Sequence, residues 1–278
     1  MRTAREHFYV VLIAIAACRA GGFEERTILA QTHAGMLRLY VSGTRGSGQP
    51  TVILEAGLGD PSQAWRKVAA AVAGSTQVVR YDRAGLGASP AAATMPRTAK
   101  EIASELHDAL VSAGIDPPYV LVSHSAGAWY VVVFTAQHPS EVKALVLLDP
   151  TPPNFFNEVT SLQNEQERAE FASSIAKYEA DASPARRAEW QSRSLAAKQA
   201  EAVTLPKHLP LVVITAAAPQ PGRNPAILRY WRDQHARMAQ ATSNGRLVVA
   251  NTGHYVQLEQ PSLVAREIQR LLKTLRGA

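Results

Sequence analysis

The stretch Tyr119-Val-Leu-Val-Ser-His-Ser125-Ala-Gly127-Ala-Trp-Tyr-Val-Val-Val-Phe134 limits what this chain can fold into more than any other. Its first part is short, apolar and β-branched, which is how a strand buried on both faces reads. The apolar run from Ala126 to Gln137 is long enough for a helix. Ser125 is pinched between the two, on a sharp strand-to-helix turn. Ser123 and Gly127, two residues to either side, are small enough for the backbones to crowd there. A serine so placed has its hydroxyl exposed at the end of a strand; the plainer alternative is a loop serine without chemistry.

The flanking segments continue the theme. Arg26 to Gln31 and Met36 to Val41 read as an opening hairpin around His33-Ala34-Gly35. Thr51 to Leu54, Gln77 to Tyr81, Lys143 to Leu148, Leu211 to Thr215 and Arg246 to Ala250 read as strands. Between them, Ser62 to Val72 carries Trp65, Val68 and Val72 at helical spacing. Thr98 to Ala113 begins with a Thr98-x-x-Glu101 capping box and carries an Ile102, Leu106, Leu110 stripe. Pro225 to Ala241 and Ser262 to Leu275 also read as helices. Strands that are apolar throughout and alternate with helices point to a parallel sheet covered on both sides. The alternation breaks from Pro152 to Pro206, which is rich in Ala, Glu, Gln and Arg and contains no strand-like run. No internal repeat is present.

Taken together, Ser123-His-Ser125-Ala-Gly127, Glu55-Ala-Gly57-Leu58-Gly59 and Asn251-Thr-Gly-His254-Tyr resemble the α/β-hydrolase family, from Thr51 to the C-terminus. Ser123 departs from the family's Gly-x-Ser-x-Gly, and Ala56-Gly57 stands where a His-Gly pair is commoner. The resemblance implies a mostly parallel, eight-stranded α/β sheet with helices on both faces and an inserted helical cap. The expected organisation is a leader and linker over 1–25, a first part of the core over 26–150, the cap over 151–208 and a second part of the core over 209–278.

It also implies a site. Ser125 is the expected nucleophile, and a serine hydroxyl needs a base, an acid that orients the base, and donors for the oxyanion. His254 lies on the loop where the family carries its base. The acid is harder to find, because the segment Ala216 to Pro225, after the strand that follows the insert, has no carboxylate. Asp149, ending the strand Ala144 to Leu148, is the expected acid, with a cap on the start of the helical insert as its alternative role. Asp233, beside Trp231 in a helical pattern, is the second choice. Asp82 reads as a structural turn residue. The backbone N–H groups of Leu58 and Ala126 are the expected oxyanion donors. His124 adjoins the nucleophile, but its ring is not expected to come round to its neighbour's hydroxyl. Phe155 and Phe156, with Tyr178 and Trp190, either roof an apolar acyl pocket or pack within the cap.

These residues lead to the expectation of a serine hydrolase that cleaves carboxylic esters of small to medium acyl chain. Lactonase, thioesterase, aminopeptidase and perhydrolase chemistry remain open, as does a ligand-binding protein without catalysis. Serine at the elbow argues against epoxide hydrolysis or dehalogenation, for which relatives use aspartate there. No cofactor is expected, and no metal: His-x-x-x-His and Cys-x-x-Cys spacings are absent. The net charge of +6 is spread without a run of five basic residues, so the expected partner is a small ester rather than nucleic acid. Oligomeric state is left open.

The first residues read as a targeting segment. Arg2 and Arg5 precede the apolar run Phe8 to Ala17, and Ile15-Ala-Ala-Cys18 looks like a bacterial lipoprotein signal. Export to the periplasm, or anchoring through a lipidated Cys18, is the expectation. An ordinary secretory signal or an unprocessed leader is the alternative. Cys18 is the only cysteine, so no intramolecular disulfide forms and the folded domain does not use cysteine catalysis.

Overall fold

The computed structural model describes residues 24–92, 96–218 and 224–277; the leader and Cys18 lie outside them. Eight strands form one sheet: β1 (Glu25–Thr32), β2 (Gly35–Ser42), β3 (Thr51–Glu55), β4 (Val78–Asp82), β5 (Tyr119–His124), β6 (Val142–Leu148), β7 (Leu211–Ala216) and β8 (Gly245–Ala250). Their order across the sheet is β1-β2-β4-β3-β5-β6-β7-β8. β2 pairs antiparallel with β1 and β4, and every pairing from β4 to β8 is parallel. This is the fold class expected from the sequence.

The continuous apolar strands have a simple cause. Every residue of β3, β5 and β7 is buried. Alternate residues enter different layers: Ile53, Leu121, Leu145 and Val213 pack on one side of the sheet, and Val52, Leu54, Val122, Val146 and Ile214 on the other. The first layer is closed by α2 (Ala99–Ser112) and α3 (Gly127–Gln137), the second by α1 (Arg66–Val72) and α9 (Pro261–Arg276). Each large aliphatic side chain so buried contributes roughly 1.5–3 kcal/mol.

Between β6 and β7 the chain forms α4 (Phe155–Leu162), α5 (Glu165–Asp181) and α6 (Pro184–Glu201). α5 starts on an Asn164–Glu167 capping box and buries none of its residues. α6 starts on a Ser183 cap with Pro184 in its first turn, and buries Ala188, Ser192, Ala196, Ala197 and Ala200. That small-residue face lets α6 lie close on α2 and α3 and tethers the insert to the core. After β7 come α7 (Pro225–Ala239), the short α8 (Val256–Glu259) and α9. Among the described residues no helix is long and apolar enough to cross a membrane.

Two local expectations change. The helix read over Ser62 to Val72 divides into a 3-10 turn, Ser62–Trp65, and α1. The Ser62 N–H donates to Asp82 Oδ1 and its hydroxyl accepts from Arg80, so the first turn is drawn to the end of β4. The sequence reading also passed over α8, which at one turn is too short to show a period.

The parallel strands end at a common rim, where open α/β sheets hold their ligands. Leu58, Arg83, Ser125, Asp149 and His254 all follow strand C-termini there. Beside it, Arg97, just ahead of α2, and Glu105 in the middle of that helix form a buried ion pair, with Nη2–Oε2 at 2.7 Å. Removing one partner strands the other charge in the interior. Glu105→Ala is expected to cost about 3–5 kcal/mol in urea unfolding; a loss below ~1 kcal/mol is what a solvated surface pair would show.

Candidate active site

The serine turn is built by strain that its neighbours enforce. Ser125 has φ +54°, a left-handed conformation that a non-glycine residue adopts only when held there. Its N–H donates to Leu148 O, and its carbonyl accepts from the N–H groups of Ala128 and Thr151. A Cβ at Gly127 would sit 2.5 Å from Ala56 O, so the glycine two residues after Ser125 is a steric necessity. Ser123 is fully buried, opposite Glu55 on β3, where it substitutes for glycine without displacing the strand.

The structure brings Ser125, His254 and Asp149 together. Ser125 Oγ lies 3.0 Å from His254 Nε2, and His254 Nδ1 lies 2.6 Å from Asp149 Oδ2. Asp149 also has a left-handed backbone, φ +40°. Its second oxygen accepts from Ala216 N at 2.9 Å and Trp231 Nε1 at 3.0 Å. Burial alone would push this carboxyl up. The hydrogen bond from His254, the charges of His254 and His235, and the Ala216 N–H outweigh that and hold it below the usual carboxylate range. Asp149 therefore stays ionised and fixes the His254 proton on Nδ1, leaving Nε2 as an acceptor for the serine. Asp233 is exposed on α7, away from this arrangement.

Leu58 and Ala126 both border the space in front of Ser125. Among the described residues neither N–H donates to a protein acceptor. The neighbouring amides are occupied: Asp60 N donates to Gly57 O, and Gly59 N donates to Glu189 Oε2 at 2.7 Å. Glu189 comes from α6. Its carboxylate is gripped by Arg83 at 2.7 and 2.9 Å. Arg83 also holds Glu55 at 2.6 Å and the carbonyls of Ala56 and Gly57 at 2.9 and 2.6 Å. One buried guanidinium thus sets the loop that carries Leu58 and ties it to the helical insert. Burial pushes Glu55 up to about 7, against the pull of Arg83 and the Tyr81 hydroxyl.

Two spaces open on Ser125. One, about 240 Å³, is lined by Phe155, Phe156, Ile227, Leu228, Trp231 and Arg232. The other, about 180 Å³, is lined by Leu58, Asp60, Phe156, Tyr178, Trp190 and Tyr255. The aromatic residues of the insert therefore face Ser125 as well as one another: Phe155 and Phe156 pack edge-on at 5.3 Å. A larger cavity of about 1000 Å³, bordered by Ser42, Arg45, Gln77 and Asp116, lies at the opposite rim and contains none of this chemistry. Also at that rim, His107, His138 and Glu141 come within 4.8 Å of one another, a grouping the sequence spacing concealed. The two imidazoles stack in parallel, 3.7 Å apart.

Several contributors were not anticipated. Thr151 Oγ1 lies 3.1 Å from Ser125 Oγ, and Trp129 Nε1 holds the Thr151 carbonyl at 2.8 Å. Trp231 and His235 surround Asp149 from α7. His124, as expected, does not reach the Ser125 hydroxyl; its Nε2–H donates to the His254 carbonyl at 3.0 Å, which pins the histidine loop to the end of β5. Proximity to Ser125 in sequence was a signal for Thr151 only through the Asp149-Pro-Thr151 step. Trp231 and His235 gave none beyond helical spacing.

A model of the alpha/beta hydrolase family matches residues 52–267. Among curated relatives, the uncharacterized protein YqjL of Bacillus subtilis (strain 168) is 36% identical over 106 residues, 38% of this chain and 42% of its own length. The "Putative carbamate hydrolase RutD" of Escherichia coli O157:H7 is 34% identical over 113 residues, 41% of this chain. The match spans about two fifths of the length of either relative, 42% in each case. Among solved structures, carboxylesterase CesB (YbfK) from Bacillus subtilis superposes with a TM-score of 0.59 at 18% identity, covering 90% of this chain and 92% of that one. At that identity the likeness is one of fold.

His124 supplies a test of how the site is held. Burial, and then the charge of nearby His254, push its imidazole down from 6.5 to about 3. Between those values the unfolded chain binds a proton that the folded chain refuses, so stability rises with pH there. The contribution is whole above about 6.5 and is lost as pH falls toward about 3. Urea unfolding at pH 7.5 and pH 5 is expected to show a larger acid loss for the wild type than for His124→Gln. Equal losses would mean that His124 already takes up a proton in the folded state.

Proposed function

The chain belongs to the alpha/beta hydrolase family, and from that premise we propose that it is a serine hydrolase cleaving carboxylic esters of small to medium acyl chain. The observation that carries this reading is the relay Asp149–His254–Ser125, with spacings of 2.6 and 3.0 Å. His254 Nε2 takes the proton of Ser125 as Oγ attacks the carbonyl carbon. The oxyanion that forms is met by the Leu58 and Ala126 N–H groups, which have no competing acceptor among the described residues. Imidazolium His254, stabilised by ionised Asp149, passes the proton to the departing alcohol. Water then attacks the acyl-serine, His254 accepting its proton, and the acid leaves with the serine restored. Thr151 Oγ1, 3.1 Å from Ser125 Oγ, holds the hydroxyl in line between turns of the cycle.

The chain-length preference follows from the walls. The larger space at Ser125, about 240 Å³, is walled by Phe155, Phe156, Ile227, Leu228 and Trp231 with Arg232 beside them, and Phe155 and Phe156 belong to the helical insert. In this reading the insert acts as a cap over a short acyl chain. A hydroxyl nucleophile rather than a carboxylate supports acyl transfer over displacement at an alkyl carbon.

4-Nitrophenyl acetate, butyrate, octanoate and a 4-nitrophenyl carbamate provide the test. Ser125→Ala is expected to lower kcat by roughly 10³-fold or more, and Asp149→Asn by roughly 10³–10⁴-fold through loss of the correct tautomer. Hydrolysis of butyrate in excess of octanoate is the expected order. Persistence of activity in Ser125→Ala rules out the acyl-serine; faster turnover of the carbamate moves the substrate class while keeping the nucleophile.

A further inference from the structure

The second space beside Ser125 contains a carboxylate that the hydrolytic steps do not use. Asp60 follows the loop carrying Leu58, and its side chain is only 20% exposed. The point where a Gly57 Cβ would sit is 3.1 Å from Asp60 Oδ2 and 3.4 Å from Ser125 Cβ, so the carboxylate lies close to the nucleophile. Burial pushes the Asp60 carboxyl up, and the charges of Arg83 and Arg186, both committed to other partners, act on it only from beyond ion-pair distance. Among the described residues its one ion-pair neighbour within 4.0 Å is His124 Nδ1, at that limit. His124 is held neutral, as shown above, with its proton engaged by the His254 carbonyl. The Tyr255 hydroxyl at 3.5 Å is too distant to compensate a buried charge. By contrast, the other buried carboxylates near the rim are gripped: Glu55 and Glu189 by Arg83, and Asp149 by His254, Trp231 and Ala216.

The walls around Asp60 are aromatic. Phe156, Tyr178, Trp190 and Tyr255 border the same space, and among the described residues no lysine or arginine does. Trp190 and Tyr178 meet at 5.3 Å, tilted by 54°. Arg193 covers one face of Trp190 at 3.9 Å, and Arg186 is committed to the Gly59 carbonyl at 2.8 Å. Among the described residues, the Tyr178 hydroxyl and the Trp190 indole N–H are buried with no partner. The Tyr178 oxygen can accept from a primary ammonium, whereas the Trp190 N–H, a donor only, is left for an ester oxygen of the substrate. A carboxylate set among aromatic faces suits a cation, which gains from both the charge and the ring quadrupoles.

We infer that this second space is an ammonium subsite, with Asp60 as the counter-charge and Tyr178, Trp190 and Tyr255 as its aromatic walls, so that the substrates are esters bearing an alkylammonium group a few bonds from the scissile carbonyl. The inference rests on Ser125 being the nucleophile. Its volume of about 180 Å³ accommodates a trimethylammonium or a primary ammonium head. The space on the other side, where among the described residues the one charged group besides the relay is the cationic Arg232, takes the uncharged half.

Two substrate pairs, each a cation and its neutral isostere, decide the matter. Butyrylcholine and 3,3-dimethylbutyl butyrate put the cation on the alcohol. The 4-nitrophenyl esters of 4-(trimethylammonio)butyrate and 5,5-dimethylhexanoate put it on the acyl group. In at least one pair the wild type is expected to show a kcat/KM for the cation about tenfold or more above its isostere. Asp60→Asn is expected to lower that ratio by at least about tenfold, and comparing ratios between the two proteins cancels intrinsic ester reactivity. A ratio unchanged by Asp60→Asn in both pairs overturns the subsite and leaves the serine hydrolase standing. Absence of Ser125-dependent cleavage of all four esters removes both. Should Asp60→Asn fail to fold, competition against 4-nitrophenyl acetate in the wild type serves instead. Tetramethylammonium is expected to compete at least about tenfold better than tert-butanol, and equal competition overturns the subsite.

Discussion

The site depends on one imidazole suspended between a hydroxyl and a carboxylate, at 3.0 and 2.6 Å. Neither spacing is a local property of the chain. Ser125 follows β5, Asp149 follows β6 and His254 follows β8, and the sheet sets these strands in the order β5-β6-β7-β8. The register His124↔Leu148 brings the ends of β5 and β6 level, so the two residues that follow are neighbours. β7 stands between the acid's strand and the histidine's, and its last residue supplies the Ala216 N–H that steadies Asp149 Oδ1. The gap is thus bridged by a strand that contributes a backbone donor and no side chain. Positive φ at both Ser125 and Asp149 is the local cost of aiming them at one point.

A second set of interactions keeps the rim from loosening. Arg83, Glu55 and Glu189 are buried charges whose removal from water is offset only by their mutual pairing and by the carbonyls of Ala56 and Gly57. Because Glu189 belongs to α6, the helical insert and the loop bearing Leu58 are parts of one electrostatic assembly. The small residues of α6 then secure the same helix against α2 and α3 by close packing. An insert tied down in this way defines the walls around Ser125 and limits how far they move.

Much of this was legible in the residues themselves. Strands buried on both faces have no polar side to show, so Thr51 to Leu54, Tyr119 to Ser123 and Leu211 to Thr215 stood out as unbroken apolar runs. The serine turn announced itself through small residues on both flanks, and Asp149 through its place at a strand end when the later loop offered no carboxylate. Proximity in space was harder to read. Trp231 and His235 reach Asp149 from a helix far along the chain, and His124 reaches the His254 carbonyl across the sheet end. The Arg83–Glu189 link joins residues from an early loop and a late helix, and an isolated Glu in a run of Ala, Arg and Gln reads as solvated. Asp60 drew no notice in the sequence, because its lack of a cationic side chain within ion-pair distance is a fact of three dimensions. The helical spacing of Trp65, Val68 and Val72 suggested one helix, yet the side chains of Asp82 and Arg80 divide it.

The account turns on Ser125 being made nucleophilic by His254. Intact-protein and peptide mass spectrometry after brief exposure to a fluorophosphonate measures that directly. The expected result is a single adduct per chain, on the peptide carrying Ser125, formed at least about a hundredfold more slowly in His254→Ala. An adduct on another residue, or labelling of Ser125 at the same rate with and without the imidazole, would contradict it.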